Sequence, residues 1–198
     1  MFGSSYMFNV CNYIKLGVFI MIYVIVGQTN SGKSTLARDL VTSTGIKQII
    51  TYTTRPMRQG ERDGIDYHFI TNGEMNSGGF FGRRDFYTVY RDEPYSYAMK
   101  EDDFILLDDA LIILDPKGVR ELKDHIGYEN ITVVYINASE ELIKERASNR
   151  GDKVDEVIRR LDIDRDYFIS AKYFADIVLE PETDDMLNYM YDTIKGRR

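Results

Sequence analysis

The stretch that decides the fold is Met21-Ile-Tyr-Val-Ile-Val-Gly27-Gln-Thr-Asn-Ser-Gly-Lys-Ser34, an apolar run that passes directly into a glycine-lysine loop. The apolar part, Met21–Val26, is rich in β-branched side chains, which favours a buried strand. Residues 27–34 match G-x-x-x-x-G-K-[ST] at every defined position. With a helix predicted to follow over Thr35–Thr42 and Gly45 able to end it, this is the strand-loop-helix context in which the motif binds phosphate groups.

The residue types of the loop explain the chemistry expected of it. Glycines let the backbone turn tightly, so that successive N–H groups point at phosphate oxygens, and the next helix adds its positive end. Lys33 is predicted to neutralise the β- and γ-phosphates, and Ser34 to place its hydroxyl on Mg²⁺. The predicted triphosphate contacts are Gly27, Gln28, Thr29, Asn30, Ser31, Gly32, Lys33, Ser34 and Thr35. The loop alone does not choose between a kinase, a GTPase and an ATPase.

Length and composition exclude several classes of protein. A chain of 198 residues predicts one domain, or one domain with a small insertion. Its 25 basic and 32 acidic residues leave a net charge of −7, which argues against binding to nucleic acid or to an anionic membrane. The single cysteine, Cys11, excludes an internal disulfide framework and favours a reducing, cytoplasmic location. With only two histidines, a Cys/His zinc site is implausible.

The N-terminal region needs a separate interpretation. The apolar run Leu16–Val26 is too short to span a membrane, which takes about 20 apolar residues. A secretory signal is the alternative, but cleavage after this run would destroy the phosphate loop, and only Lys15 is basic ahead of it. The domain is therefore predicted to cover residues 21–198. Residues 1–20 are predicted to be an N-terminal extension. Two interpretations apply to it: a disordered segment, or an artefact of the choice of translation start site.

Strands and helices alternate along most of the chain, which predicts a parallel sheet flanked by helices. The segment at about 51–100 is rich in glycine and aromatic residues and departs from this rhythm, so it is predicted to be an insertion. The further predicted strands are Lys47–Thr51, Tyr67–Thr71, Phe86–Tyr90, Tyr95–Met99, Leu111–Leu114, Ile131–Ile136 and Ala175–Leu179. The further predicted helices are Pro116–Asp124, Ser139–Asn149, Asp155–Tyr173 and Asp184–Ile194, and residues 72–79 are predicted to be a loop.

A second group of basic residues follows the phosphate loop in sequence. Arg55 and Arg58 lie three residues apart around a proline, and Tyr67 follows nine residues after Arg58. Two guanidinium groups and a phenol are well suited to hold a dianionic phosphate. From the residues alone this predicts a second anion site, with a solvated basic loop as the alternative.

This segment, Thr53-Thr-Arg-Pro-x-Arg-x-Gly-Glu-x-x-Gly-x-Asp-Tyr67, resembles the guanylate kinase family. The resemblance implies a P-loop NTPase fold with a small mixed lobe for the nucleoside monophosphate at about 51–100 and a helical lid at about 146–160. It implies ATP-dependent phosphorylation of a nucleoside monophosphate, with GMP or dGMP preferred and Mg²⁺ as cofactor. Small-molecule nucleotides are then the expected partners.

The resemblance also implies roles for individual residues. The acceptor nucleotide would be contacted by Thr51, Arg55, Arg58, Tyr67, Tyr95 and Asp115, with Tyr97 as an alternative to Tyr95. The transferring phosphoryl group would be contacted by Lys33 and by the lid residues Arg146, Arg150 and Arg160, with Arg159 as an alternative to the last. For Asp115, a helix cap at the end of a strand is the competing interpretation.

One departure from the family concerns the base of the acceptor. Family members read guanine with a carboxylate, usually a glutamate, and Asp85 is the nearest acid here, about two residues out of register. If Asp85 does not face the acceptor, the preference for guanine loses its main determinant. Two alternatives therefore stay open: a kinase of another monophosphate or of a ribosyl bisphosphate, and a non-catalytic guanylate kinase-like interaction domain. The intact Gly32-Lys33-Ser34 argues against the second.

Overall fold

A parallel sheet of five strands forms the centre of the computed structural model, which describes residues 20–58, 60–87, 94–105, 108–149, 151 and 154–197. The strand order is β2-β7-β1-β8-β9. These strands are β1 (Ile22–Gly27), β2 (Lys47–Ile49), β7 (Ala110–Ile113), β8 (Ile131–Ile136) and β9 (Ile177–Leu179). Since β1 pairs with β7 on one side and β8 on the other, the phosphate loop leaves from the middle of the sheet.

Helices cover both faces of this sheet. The helices of the described residues are α1 (Lys33–Thr44), α2 (Asn72–Asn76), α3 (Pro116–Ile126), α4 (Glu140–Asn149), α5 (Val154–Ile169), α6 (Ala171–Phe174) and α7 (Met186–Lys195), with a 3₁₀ turn at Glu101–Phe104. Alternate residues of β1 enter two different apolar clusters. Val24 packs in the cluster that contains Val119 and Phe168, whereas Ile25 packs in the cluster that contains Leu36. Every residue of β1 is therefore buried, as expected for a central parallel strand.

A second, mixed sheet lies within the predicted insertion. Its order is β4-β3-β6-β5, built from β3 (Tyr52–Thr53), β4 (His68–Phe69), β5 (Phe80–Phe86) and β6 (Tyr95–Lys100). β3 runs parallel to β4 and antiparallel to β6, and β5 is antiparallel to β6 with an irregularity between Phe81 and Arg84. The predicted fold class, a parallel sheet flanked by helices with a small mixed lobe, is confirmed.

Several predicted elements are wrong. Residues 72–76 form a helix rather than a loop, because the side chains of Thr71 and Glu74 make a reciprocal capping box at its start. The predicted strand Phe86–Tyr90 is displaced, since β5 ends at Phe86 and residues 88–93 lie outside the described part of the chain. The helix predicted over 155–173 is two helices, which meet at Ser170.

The N-terminal extension, including Cys11, lies almost wholly outside the described residues, which begin at Ile20. Within the described ranges, no helix combines the length and the apolar character needed to cross a membrane.

Candidate active site

The phosphate loop joins β1 to α1 in a tight backbone turn. Gly32 has a φ of +108° and Asn30 a φ of +60°, so two of the loop residues adopt the left-handed region. A Cβ atom at Gly27 would lie 2.6 Å from the Ser31 Oγ atom and 3.0 Å from the Ile136 carbonyl oxygen. Position 27 therefore requires glycine because neighbouring atoms leave no room for a Cβ, and position 32 requires it because its φ is positive.

The side chains predicted to act in the loop lie at the start of α1. The Lys33 ammonium donates to the Gln28 carbonyl oxygen at 2.5 Å, so this side chain folds back over the loop. Ser34 and Thr35 are exposed in the first turn of the helix. A hydroxyl beside bound phosphates fits Mg²⁺, which takes few protein ligands and shares phosphate oxygens. No group of three or more His, Cys, Asp or Glu residues in the described ranges could hold a metal ion by itself.

Arg146 connects the predicted lid to the phosphate loop. It lies in the last turn of α4, and its Nη1 atom donates to the carbonyl oxygens of Ser31 at 2.7 Å and of Asn30 at 3.3 Å. The same atom lies 3.2 Å from where a Cβ of Gly32 would stand. Arg150 lies outside the described residues, and Arg160 is on α5 with its side chain outside them. Of the three predicted lid arginines, the structure therefore brings Arg146 to the loop.

In the mixed lobe, Arg55 is held on three sides. It is only 7 % exposed, and its guanidinium makes a bidentate pair with Glu61 at 2.8 and 3.0 Å. Its Nε atom donates to the Tyr97 hydroxyl at 3.1 Å, and Nη1 also donates to the Pro56 carbonyl at 2.7 Å. Four of the five guanidinium N–H groups are thus used by protein acceptors.

Glu61 organises the whole arginine segment. Besides pairing with Arg55, its carboxylate accepts from the Arg58 backbone N–H at 2.7 Å. Burial by itself would raise the pKa of Glu61, but the hydrogen bonds from Arg55 and Arg58 outweigh it and lower the pKa below its ordinary value. The Arg58 side chain is exposed at the same turn. The turn is therefore shaped by one ionised carboxylate.

Aromatic rings line the other side of Arg55. Its guanidinium lies 5.5 Å from the centre of the Tyr67 ring and 5.7 Å from that of Phe69, within the range of cation–π contacts. The Tyr67 ring meets that of Tyr97 edge to face at 5.7 Å. Burial raises the pKa of Tyr67 to about 12, so its phenol stays neutral near pH 7 and can donate a hydrogen bond.

The remaining predicted acceptor contacts are distributed around this cluster. Thr51 is buried just before β3, and Tyr95 is half-buried at the start of β6. Asp115 follows β7 and caps α3, accepting from the Gly118 backbone N–H at 2.7 Å. Its other oxygen lies 3.2 Å from Arg84, so Asp115 is both a helix cap and the partner of a buried cation. Among the predicted acceptor residues, the contacts thus join Arg55, Arg58 and Tyr67 in one cluster around Glu61, and Asp115 lies at the end of a central strand.

Asp85 does not face this cluster. It pairs across the strands with Ser96, whereas its neighbour Arg84 pairs with Tyr97, and successive residues of a strand point to opposite faces. The Asp85 carboxylate accepts from the Ser96 hydroxyl at 2.6 Å and from Arg83 at 3.1 Å. The Ser96 hydrogen bond holds the pKa of Asp85 below its ordinary value. Asp85 therefore lies on the opposite face from the phenol that contacts Arg55.

Sequence reasoning missed two contributors to the site. Glu61 belongs to the Gly-Glu pair of the motif Thr53–Tyr67. The sequence signal for its ion pair with Arg55 was their separation of only six residues. Arg84 is a buried residue on β5 whose partners, Asp115 and Glu121, are 31 and 37 residues away. No local pattern identifies partners at that separation.

A phosphate loop after the central strand of a parallel sheet, with a mixed lobe beside it, defines a P-loop nucleotide-binding protein. The family model for guanylate kinase matches residues 20–196. This chain belongs to the guanylate kinase family.

Individual relatives and a solved structure agree with this assignment. A guanylate kinase of Symbiobacterium thermophilum is 30% identical over 145 residues, which are 71% of this chain and 67% of the relative. One of Rickettsia prowazekii is 26% identical over 186 residues, covering 90% and 92%. With other matched relatives, such as that of Legionella pneumophila, the alignment spans 66% of their length, about two thirds. The crystal structure of guanylate kinase from Anaplasma phagocytophilum superposes with a TM-score of 0.63 at 19% identity, covering 90% of this chain and 86% of that one, and shows the shared fold.

Proposed function

We propose that this chain transfers the γ-phosphoryl group of ATP to the phosphate of GMP or dGMP. The observation that carries the proposal is the match to the guanylate kinase family over residues 20–196. The geometry supports it. The phosphate loop on the central sheet suits the triphosphate of ATP, and the second cationic cluster, on the mixed lobe, suits the phosphate of the acceptor.

The chemistry requires positioning and charge neutralisation more than acid–base catalysis. The acceptor is a phosphate oxygen that is already anionic near neutral pH, so it can attack the γ-phosphorus in line without a strong base. The bond to the β,γ-bridging oxygen breaks, and ADP leaves. Lys33 would exchange its contact with the Gln28 carbonyl for the β- and γ-phosphates. Arg146, with Arg150 and Arg160 from the lid, would neutralise charge on the transferring group.

Ser34 would hold Mg²⁺ through its hydroxyl. When bound, this ion would offset the negative charge of the β- and γ-phosphates. The other loop residues, Gly27 to Thr35, would hold the triphosphate through backbone N–H groups and the N-terminal end of α1.

On the acceptor side, the exposed Arg58 and the neutral phenol of Tyr67 would hold the phosphate. Arg55 would contribute its remaining N–H group and, through Glu61, the shape of the turn. Thr51, Tyr95 and Asp115 would line the nucleoside. Closing the lid over both nucleotides would exclude water and so limit hydrolysis of ATP.

A coupled assay of ADP release, run with GMP, dGMP, AMP, CMP, UMP and TMP, tests the proposal. Turnover with GMP and dGMP above the other nucleotides is the expected result. Turnover with none of them, in protein that binds ATP and Mg²⁺, would overturn it. If ATP at millimolar concentration does not bind at all, the non-catalytic interaction domain becomes the better interpretation.

A further inference from the structure

A buried guanidinium joins the mixed lobe to the central sheet. Arg84 on β5 is 6 % exposed and lies 3.2 Å from Asp115 and 3.4 Å from Glu121, on α3. Its Nε–H points out of alignment with Asp115 and has no hydrogen-bond partner among the described residues. Because burying an ionised group without full hydrogen bonding is costly, this arrangement calls for a functional reason.

Two glycines make room for this group. A Cβ atom at Gly118 would collide with the Arg84 guanidinium and lie 3.0 Å from its Cζ atom. Gly82 has a φ of +60°, and a Cβ there would lie 2.6 Å from Met99 Cε and 3.0 Å from the Glu121 carboxylate. Glu121 therefore occupies space that a side chain at position 82 would otherwise fill. Both sides of the cluster are shaped around Arg84 and Glu121.

The cluster lies beside the proposed phosphate site. Arg84 pairs directly across the strands with Tyr97, so the two side chains share one face of the sheet. The Tyr97 hydroxyl in turn accepts from Arg55. Arg84 therefore lies beside the residue that contacts Arg55, on the face that a nucleotide held near Arg55 would meet.

Guanine presents two adjacent donors, N1–H and the 2-amino group, which a single carboxylate can accept together. Three carboxylates are poorly suited to this. Both oxygens of Glu61 are used by Arg55, those of Asp115 face Gly118 and Arg84, and Asp85 lies on the opposite face.

Glu121 is held more loosely. Its contacts to Arg84 and Lys117 are 3.4 and 3.9 Å long, and its side chain is 23 % exposed. Its oxygens therefore have lone pairs to offer a ligand.

We propose that Glu121 selects the acceptor base by accepting hydrogen bonds from guanine N1–H and the 2-amino group, and that Arg84 is the positioning residue that holds this carboxylate. The inference rests on the proposed function, since it assigns the base selectivity of the same site. It gives a carboxylate of α3, packed against β5, the role for which Asp85 is the nearest acid in the sequence.

The decisive comparison is between GMP and IMP, which lacks the 2-amino group. We expect Glu121→Gln to lower the GMP-to-IMP ratio of kcat/KM by about tenfold or more, because the amide NH₂ would face a guanine donor. Arg84→Lys should lower the same ratio. The double variant should match Glu121→Gln, because Arg84 acts through Glu121. Asp124→Asn, an exposed carboxylate on the same helix, is the matched control and should keep the wild-type ratio.

The possible outcomes separate this inference from the proposed function. A wild-type ratio in Glu121→Gln, or equal losses for GMP and IMP, would mean that the cluster only fastens the lobe, and would overturn the inference while leaving the kinase activity intact. Absence of turnover in the wild-type protein would instead refute the proposed function. In that event, calorimetric binding of GMP and IMP to wild type and Glu121→Gln still decides whether Glu121 reads the base.

Discussion

Replacing Gly118 with alanine is expected to destabilise the protein, although the same change stabilises most helices. Gly118 lies in the first turn of α3, where alanine would gain up to about 1 kcal/mol in helix propensity. Here the three atoms nearest to the added Cβ all belong to the Arg84 guanidinium, which would have to leave its place between Asp115 and Glu121.

The magnitude follows from these two opposing effects. Breaking a buried ion pair costs about 3–5 kcal/mol, and the lower end applies because both carboxylates stay 23 % exposed and can be hydrated. Subtracting about 1 kcal/mol for helix propensity leaves a net loss of about 2 kcal/mol. For a domain of this length, that loss lowers the melting temperature by about 4–8 °C.

Urea and thermal unfolding of four proteins test this reasoning. They are wild type, Gly118→Ala, Arg84→Ala and the double variant. With Arg84 truncated the collision is gone, so Gly118→Ala in that background should be neutral or stabilising by up to about 1 kcal/mol. If Gly118→Ala alone is as stable as wild type, or if the two changes are additive, the close packing of Arg84 against α3 is refuted.

The remaining predictions concern the two proposed phosphate sites. Lys33→Ala should abolish phosphoryl transfer with little change in the melting temperature, because the ammonium contacts a loop carbonyl; retained turnover would contradict its role. Arg58→Ala should raise the KM for the acceptor far more than the KM for ATP, and equal increases would show that the acceptor site lies elsewhere. Since hydrogen bonds from Arg55 and Arg58 keep the folded-state pKa of Glu61 low against the effect of burial, its contribution to stability is present above the unfolded pKa and lost as pH falls through the folded value. Melting temperatures from pH 7 to pH 3 should therefore fall less steeply for Glu61→Gln, and an unchanged slope would count against the pair.

The parallel sheet could be predicted well because its strands carry a strong local signal. Ile131–Ile136 is predicted with the observed bounds, and Met21–Val26 is displaced from β1 by one residue. Strands buried on both faces read as continuous apolar runs, and the phosphate loop marks the end of one of them.

The mixed lobe was harder to predict because its signals conflict. Asn72, Gly73 and Asn76 are poor helix formers, yet the capping side chains of Thr71 and Glu74 allow a short helix. In β5, Gly82 has a positive φ at the irregularity between Phe81 and Arg84, which disturbs the alternation that would mark a strand.

The candidate site shows the same division. The phosphate loop and the arginine segment are each a continuous stretch of sequence, so their site residues could be predicted from the sequence. The pair between Arg84 and Glu121 joins β5 of the mixed lobe to α3, and these elements come together only when the chain folds. The direction in which Asp85 points likewise depends on strand register, and a shift of one residue would reverse it.

The cations of the site differ in what a phosphate must displace. Lys33 and Arg146 donate to neutral backbone carbonyls, whereas Arg55 is bound in a bidentate pair to an ionised carboxylate. A phosphate dianion can outcompete a carbonyl dipole, because a hydrogen bond between charged groups is about twice as strong as one between neutral groups. The phosphate would gain much less by displacing Glu61 from Arg55, because one charged acceptor would replace another and the carboxylate of Glu61 would be left unpaired. We therefore expect Lys33 and Arg146 to move onto bound nucleotide, while Arg55 stays with Glu61 and shapes the turn that presents Arg58.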